Sequence, residues 1–306
     1  MKQRKILWLI VLVLIFLPNS AQAEKASLKL SFNLSFYQEG DLNKWIESFN
    51  LLYKDLGALK GAQPTGGFES PRLGSLYEIE LRFPLDLGFA LNLSGSSFSA
   101  NKEGKIDLSY RENNIDENLS GTVMNRVSAV PLKIGLSFSY PFPWAKNLHL
   151  MAQVGRQIVF ARYKTQQIYD EVFRSGGDEF AYTLDRNDSY NSEGLGFYAS
   201  LGAEYDLPTF ISVVFEIEKV WCTVDSFKGS YTLTKIEKNP YGETQDIQED
   251  KASLYFYESN EWELGNYYLV LSGHNARPEN PVYREIRGAE FDFNGLVFKI
   301  GIRFKF

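Results

Sequence analysis

Polar and apolar residues alternate with a period of two in eight segments of the chain. The first sets Leu28, Leu30, Phe32, Leu34 and Phe36 against Lys29, Ser31, Asn33 and Ser35. The pattern recurs in Tyr77 to Phe83 around Glu78, Glu80 and Arg82, in Phe89 to Ser94, and in Leu132 to Tyr140 around Lys133. It returns in Leu148 to Gly155, in Gly194 to Tyr205 with Glu204, in Ile211 to Glu218 with Glu216 and Glu218, and in Leu296 to Phe306 with Lys299 and Arg303. Successive strand side chains point to opposite faces, so each segment predicts a strand with one apolar and one polar face.

Connection lengths and face chemistry then decide which face is buried. Connections 84–88, 141–146 and 206–209 are short, whereas 38–73, 111–120, 166–192 and 237–289 are long, and the two kinds alternate. That sorting is the asymmetry of a membrane β-barrel, with short turns at one end and long loops at the other. The polar faces bring Lys29, Glu78, Glu80, Arg82, Lys133, Glu204, Glu216, Glu218, Lys299 and Arg303 together, more charge than an apolar protein core accepts. Turned outward, the apolar faces meet lipid, and charges of both signs pair in a narrow lumen, with Gly135, Gly155, Gly196, Gly202 and Gly301 leaving room. Phe83, Phe89, Tyr140, Trp144, Tyr205, Phe210 and Phe306 fall at the short turns, where an interfacial girdle belongs.

The expected fold class is therefore all-β: an antiparallel transmembrane β-barrel of eight strands, with ten as the alternative. The alternative rests on Ala252 to Tyr257 and Tyr267 to Leu271, which read as an outer hairpin or as a further spanning pair. Six residues fall short of the 9–11 a tilted strand needs to cross, which favours eight. Ile106 to Tyr110 and Tyr231 to Lys235 read as strands continuing above the membrane, and Phe291 and Phe293, out of phase with the last strand, predict a bulge near Asn294 and Gly295. One segment departs from the period of two. Residues 41–56 place Leu42, Trp45, Ile46, Phe49, Leu52, Tyr53 and Leu56 on one helical face, with Asp41 as expected cap and Gly57 as expected stop. This helix predicts a plug or lid over the mouth, an interfacial helix, or a helix packed on the rim.

Residues 1–23 read as a cleaved secretory signal, with basic Lys2, Arg4 and Lys5, an apolar run from Ile6 to Leu17, and Ala21-Gln22-Ala23 before Glu24. The run is shorter than the roughly 20 residues of a retained spanning helix. Residues 24–306 then form the barrel domain. Composition agrees with this reading, with 15% aromatic and 23% charged residues. A net charge of -6, more acidic still without the leader, argues against nucleic acid as partner. One cysteine, Cys222, and two histidines, His149 and His274, exclude an internal disulfide and leave little for a metal centre, so no cofactor or metal is expected. The acidic loop residues Asp246, Glu249 and Asp250 lack calcium-loop spacing and read as solvated.

The segment from Gly295 to Phe306 resembles the carboxyl-terminal recognition strand of bacterial outer-membrane β-barrels, with Ile302, Phe304 and Phe306 in the matching positions. The segments 131–140 and 148–163 resemble neighbouring strands of small outer-membrane barrel proteins of the OmpA, OmpX and OmpW type. The resemblance implies location in a bacterial outer membrane, contact with outer-membrane lipid and lipopolysaccharide, and handling by the barrel-assembly machinery and periplasmic chaperones. That group varies widely in function, but an eight-stranded barrel has an interior that side chains can fill, so the expectation is a monomer with a non-enzymatic structural or surface-interaction role, or a narrow conduit for small solutes. The alternative is a lipid A acyltransferase or deacylase, for which Ser272 and His274, with Glu279 or Asp292 as orienting acid, are the only catalytic candidates.

Overall fold

The computed structural model describes residues 26–38, 40–69, 73–112, 115–145, 147–175, 178–208, 210–261 and 264–306, so the expected leader lies outside the described residues. The strands are β1 (Ser27–Gln38), β2 (Thr65–Gly67), β3 (Leu73–Pro84), β4 (Phe89–Glu112), β5 (Ile115–Pro141), β6 (Leu148–Ser175) and β7 (Asp178–Asp206). They continue with β8 (Ile211–Val224), β9 (Lys228–Asn239), β10 (Gly242–Ser259), β11 (Tyr268–His274), β12 (Tyr283–Gly288), β13 (Phe291–Asp292) and β14 (Asn294–Lys305), and helix α1 spans Asp41–Leu59.

These strands form one antiparallel sheet of 14, and eight of them close a ring in the order β1, β3, β4, β5, β6, β7, β8, β14 and back to β1. The register fixes its geometry. Hydrogen-bonded partners lead from Ser27 through Arg82, Asn92, Gly135, Gly155, Tyr198, Val220 and Gly295 back to β1 at Tyr37, ten residues beyond the start. That offset corresponds to a strand tilt of about 40° and an interior that side chains alone can fill.

The sheet holds more strands than eight because one end is built up into a tall extension. The start of β1, the end of β14 and the turns after β3, β5 and β7 share the other end, where Ser27 pairs with Lys305. At the tall end, β4 to β7 run for 24, 27, 28 and 29 residues, so the expected loops 111–120 and 166–192 are instead the tops of two long hairpins. The upper part of β7 leaves β8 and pairs with β9, to which β10 is added, and β10 in turn carries β11 and β12. Residues 252–257 and 267–271 thus belong to the extension and not to the ring.

The polarity of the wall turns over between ring and extension. Along β5 the outward side chains Phe138, Leu136, Ile134 and Val130 give way to Ser128 and Arg126, while the inward ones change from Ser137 and Lys133 to Ala129, Val127 and Val123. Along β6 the outward Ile158 and Phe160 give way to Arg162 and Lys164, and the inward Gln153 and Gln157 to Val159, Ala161 and Tyr163. Phe291 and Phe293 are buried for this reason. They share the inward face of Gly295 and Val297, in phase, and no bulge is needed. The lower ring is charged inside and apolar outside, apart from Arg156, which lies over the Phe197 ring at 5.3 Å, and Lys219; the extension is largely apolar inside and polar outside.

Helix α1 lies inside the extension. Leu42, Trp45, Ile46, Phe49, Leu52 and Tyr53 are all buried. Phe49 meets the Tyr169 ring of β6 at 5.9 Å, and Tyr53 Oη occupies the space a side chain at Gly121 of β5 would need. On its other side, Ser48 Oγ accepts the Leu269 amide at 2.7 Å, and Tyr268 donates to Asp55 at 2.7 Å. The helix therefore covers the chamber above the ring and turns no apolar face to lipid. Its ends differ from expectation. Gly40 occupies the amino-terminal cap position with φ 56°, and Asp41 instead turns to Arg287 in a two-pronged ion pair at 2.6 Å and accepts the Glu290 amide. The carboxyl end runs past Gly57 to Leu59, because Gly57 is buried against the Ala62 carbonyl and serves close packing.

Candidate functional site

Period-two geometry on six ring strands sends one charged side chain after another into the lower lumen. Lys29 comes from β1, Glu78, Glu80 and Arg82 from β3, Lys133 from β5, Glu204 from β7, Glu216 and Glu218 from β8, and Lys299 and Arg303 from β14. Register aligns them across the wall, with Lys29 opposite both Glu80 and Arg303, and Lys299 opposite Glu216. The structure places all ten inside, each no more than 8% exposed.

Two tiers result. Near the turn end, Glu204 is bound by Arg303 and by Arg82 at 3.5 Å, Arg303 reaches Glu80 at 2.8 Å, and Lys305 joins Glu204 to Asp206. Above it, Glu78 accepts from Lys299 at 2.8 Å and from Lys133 at 3.1 Å, and Glu218 accepts from the same two lysines. Carboxylate oxygens of Glu78, Glu80 and Glu216 lie within 4.8 Å of one another, a spacing that can hold a cation. The Lys29 ammonium fills that role, at 3.7, 3.0 and 2.8 Å from the three. Five cations meet five carboxylates, so the charge closes without a metal.

The network needs a slot for the ring that caps it. Tyr198 lies over the Lys133 ammonium at 5.3 Å and accepts from Gln153 at 2.8 Å. A Cβ at Gly135 would stand 2.3 Å from Tyr198 Oη, and one at Gly155 would stand 2.3 Å from the Ile134 carbonyl. Above Tyr198 the interior becomes aromatic, with Tyr37 between Phe98 and Phe293, and Tyr163 against Tyr190 and Phe291. Cys222 is buried in this layer.

The remaining candidates fall outside the lumen network. Ser272 and His274 share a face of β11, but His274 Nε2 pairs with Tyr257 Oη at 3.1 Å. Asp292 is engaged by Thr223 and Asn294, and Glu279 lies in an exposed connection. Among the described residues no hydrogen bond joins Ser272 to His274, so these candidates do not line up as a nucleophile and its base. Burial and the Arg186 charge hold His274 below the ordinary imidazole range, and burial pushes Tyr283, which donates to Glu261, up to about 12. His149 pairs with Asp206 at 3.3 Å beside the turn end. Asp246, Glu249 and Asp250 are solvent-facing positions of β10.

At the wall's outer surface Leu30, Ile79, Ile134, Val154, Leu201, Ile217 and Ile300 are 45–70% exposed, at the same height as the charged interior. Water solvates no such arrangement well, and hydrocarbon solvates it fully. The fold is a transmembrane β-barrel. Among the described residues no helix is long and apolar enough to cross a membrane. Of the turn-end aromatics, Phe89, Tyr140, Trp144, Tyr205, Phe210 and Phe306 are exposed, whereas Phe83 is buried and takes no part in a girdle. Ile302 faces outward on β14, Phe306 just beyond it is exposed, and Phe304 lies against Phe210 at 6.3 Å.

No protein-family model matches the chain, and no curated protein does. Among solved structures it is similar to the outer membrane protein OprG from Pseudomonas aeruginosa, at 11% identity and a TM-score of 0.39, over 93% of this chain and 97% of that one. It is also similar to a major outer membrane protein from Thermus thermophilus, at 13% identity and a TM-score of 0.32, over 92% of this chain and 99% of that one.

The alternation in sequence marked the charged residues and put Tyr198 on their face, but did not mark the aromatic layer above. Its signal was present as Val127 and Val123, or Ala161 and Tyr163, apolar at the parity that is polar lower in the same strands.

Proposed function

We propose that this protein is a non-enzymatic integral barrel of a bacterial outer membrane, closed to solutes, whose tall end stands outside the cell as a rigid surface-interaction module. The observation that supports this reading is the lumen network, in which ten charged side chains, each 8% exposed or less, interlock across the ring. A buried network of this kind is costly to open, because each separated charge would lose its partners in a low-dielectric interior. The second contribution is α1, whose apolar face is spent on covering the chamber and offers nothing to a passing solute. The orientation is supported by the short turns lying together with the start of β1 and the end of β14, an end that belongs on the periplasmic side.

Conductance in a planar bilayer tests the reading, with the heat-dependent gel shift certifying folded protein. Silence from folded protein is expected. Discrete, reproducible steps would overturn the closed-barrel reading and favour a solute conduit. The enzyme alternative loses its geometric support with Ser272 and His274 unlinked. Unaltered lipid A in cells producing the protein is the expected result, and acylation or deacylation abolished by His274→Ala would overturn it.

A further inference from the structure

Just above the level where the wall changes polarity, one side of the barrel collects outward-facing cations. Arg126 lies beyond Val130 on the outer face of β5, and Arg162 and Lys164 lie beyond Phe160 on that of β6. Register sets Arg126 directly opposite Lys164, and Asn191 of β7 between Arg162 and Lys228 of β9. Four cations therefore come together from three strands. With a rise of about 3.3 Å per residue along a strand tilted by about 40°, they stand roughly 5–10 Å above the last lipid-facing apolar side chains. That is where the phosphates of an outer leaflet would lie.

Among the described residues none of the four is held in an ion pair, although Glu103 lines the depression beside Arg126 and Lys164, and Glu193 the one beside Arg162 and Lys228. No described carboxylate lies within 4.0 Å of Arg126, Arg162, Lys164 or Lys228, and the one polar contact is from Arg162 Nη2 to Ser189 Oγ at 3.3 Å. Like charges directly opposite on neighbouring strands destabilise a sheet, so the Arg126 and Lys164 pair is a cost unless an anion sits between them. The surface is also concave there. Arg126 and Lys164 line a depression of about 750 Å³, and Arg162 and Lys228 line an adjoining one of about 770 Å³. Elsewhere on the same rim, Thr223, Asp292 and Asn294 present a carboxylate and neutral groups.

We propose that Arg126, Arg162, Lys164 and Lys228 form a binding site for the phosphate groups of an outer-leaflet glycolipid. The inference rests on the assignment of the tall end to the outside, but not on whether the lumen conducts, and a lipid-binding measurement separates the two. The headgroup phosphates bridge the opposed cations, and the acyl chains lie along the apolar outer faces of β5, β6 and β7 below.

The test titrates the full chain, refolded in neutral detergent, with diphosphoryl lipid A and reads bound lipid by native mass spectrometry. Two variants are compared: the fourfold Arg126→Gln, Arg162→Gln, Lys164→Gln, Lys228→Gln, and a control carrying Lys235→Gln and Lys238→Gln farther up β9. The fourfold variant is expected to bind at least tenfold more weakly, and the control to bind as the parent does. Dephosphorylated lipid A is expected to bind the parent as weakly as the variant binds the diphosphoryl form. Equal binding by parent and fourfold variant, or an equal loss in the control, would overturn the proposal. Displacement by equimolar inorganic phosphate would overturn the lipid as source of the anion. Should the fourfold variant lose the folded gel position, the pair Arg126→Gln and Lys164→Gln carries the same expectation at about threefold, and unchanged binding by that folded pair is equally decisive against the site.

Discussion

Glu78→Gln probes the lumen network at its most connected point. Glu78 is 1% exposed, and its two oxygens meet three ammonium groups, Lys299 at 2.8 Å, Lys133 at 3.1 Å and Lys29 at 3.7 Å. The substitution keeps the shape but leaves five cations with four carboxylates. Removing one member of a buried ion pair costs about 3–5 kcal/mol, because the partner charge stays buried without compensation. All three lysines keep Glu216 or Glu218 at close range, which places the expected loss near the lower bound, about 3 kcal/mol. Adding Lys299→Gln removes one charge of each sign, so the double variant is expected to cost clearly less than the sum of the two single changes. The assay is reversible urea unfolding from lipid vesicles, followed by the fluorescence of Trp144 and Trp221, both on the outer face. A loss below about 1 kcal/mol for Glu78→Gln, or strict additivity with Lys299→Gln, would refute the reasoning that the network is buried and mutually compensated.

Four further outcomes follow from the packing. Gly135→Ala puts a Cβ 2.3 Å from Tyr198 Oη and 2.6 Å from a backbone carbonyl, and overpacking of that kind is expected to cost about 1–3 kcal/mol in the same urea assay; a loss below that range would contradict the close fit of Tyr198. Trp45→Ala empties a buried site on α1 and is expected to loosen the extension alone, so proteolysis of the tall end should accelerate while the folded gel shift of the ring persists; loss of both together would contradict separate layers. His274 is depressed by burial and by Arg186, so the unfolded chain binds more protons than the folded one between the lowered value and 6.5. Stability of the extension is therefore present above that window and lost as pH falls through it, and proteolysis at pH 5 should outpace that at pH 7.5 in the parent but less so in His274→Gln; equal pH dependence in both would contradict it. Cys222, 3% exposed, is expected to resist maleimide in the folded protein and to react fully in urea.

Much of the ring was legible because lipid and lumen impose opposite demands on alternate residues, and the eight alternating segments each became a ring strand. The charged face was legible for the same reason, since no other environment accommodates Lys29, Glu78 and Lys299 on strands that also carry Leu30, Ile79 and Ile300. The extension was hidden by its own logic. From Val159 upward the inward parity turns apolar, as in Val159, Ala161 and Tyr163, so a reading tuned to one phase takes the continuation for loop. The bulge expected at Phe291 and Phe293 arose from the same assumption. The ends of α1 were illegible for a different reason, since Asp41 is claimed by Arg287 from 246 positions away and Gly57 by the Ala62 carbonyl, tertiary contacts that local capping rules do not contain. The basic rim patch lay in plain view as Arg126, Arg162, Lys164 and Lys228, but only the register places the four on one side at one height.

The turnover of wall polarity carries the rest of the account, since it sets the membrane boundary, the outward module and the level of the cationic rim. A spin-label scan along β6 tests it most directly, with single cysteines from position 150 to 168 in a Cys222→Ser background, reconstituted in vesicles. Even positions through 160 are predicted to be accessible to oxygen and shielded from a water-soluble nickel chelate, and positions 162, 164 and 166 to show the reverse. Oxygen-accessible labels continuing through 166, or chelate access beginning near 154, would contradict the boundary between Phe160 and Arg162.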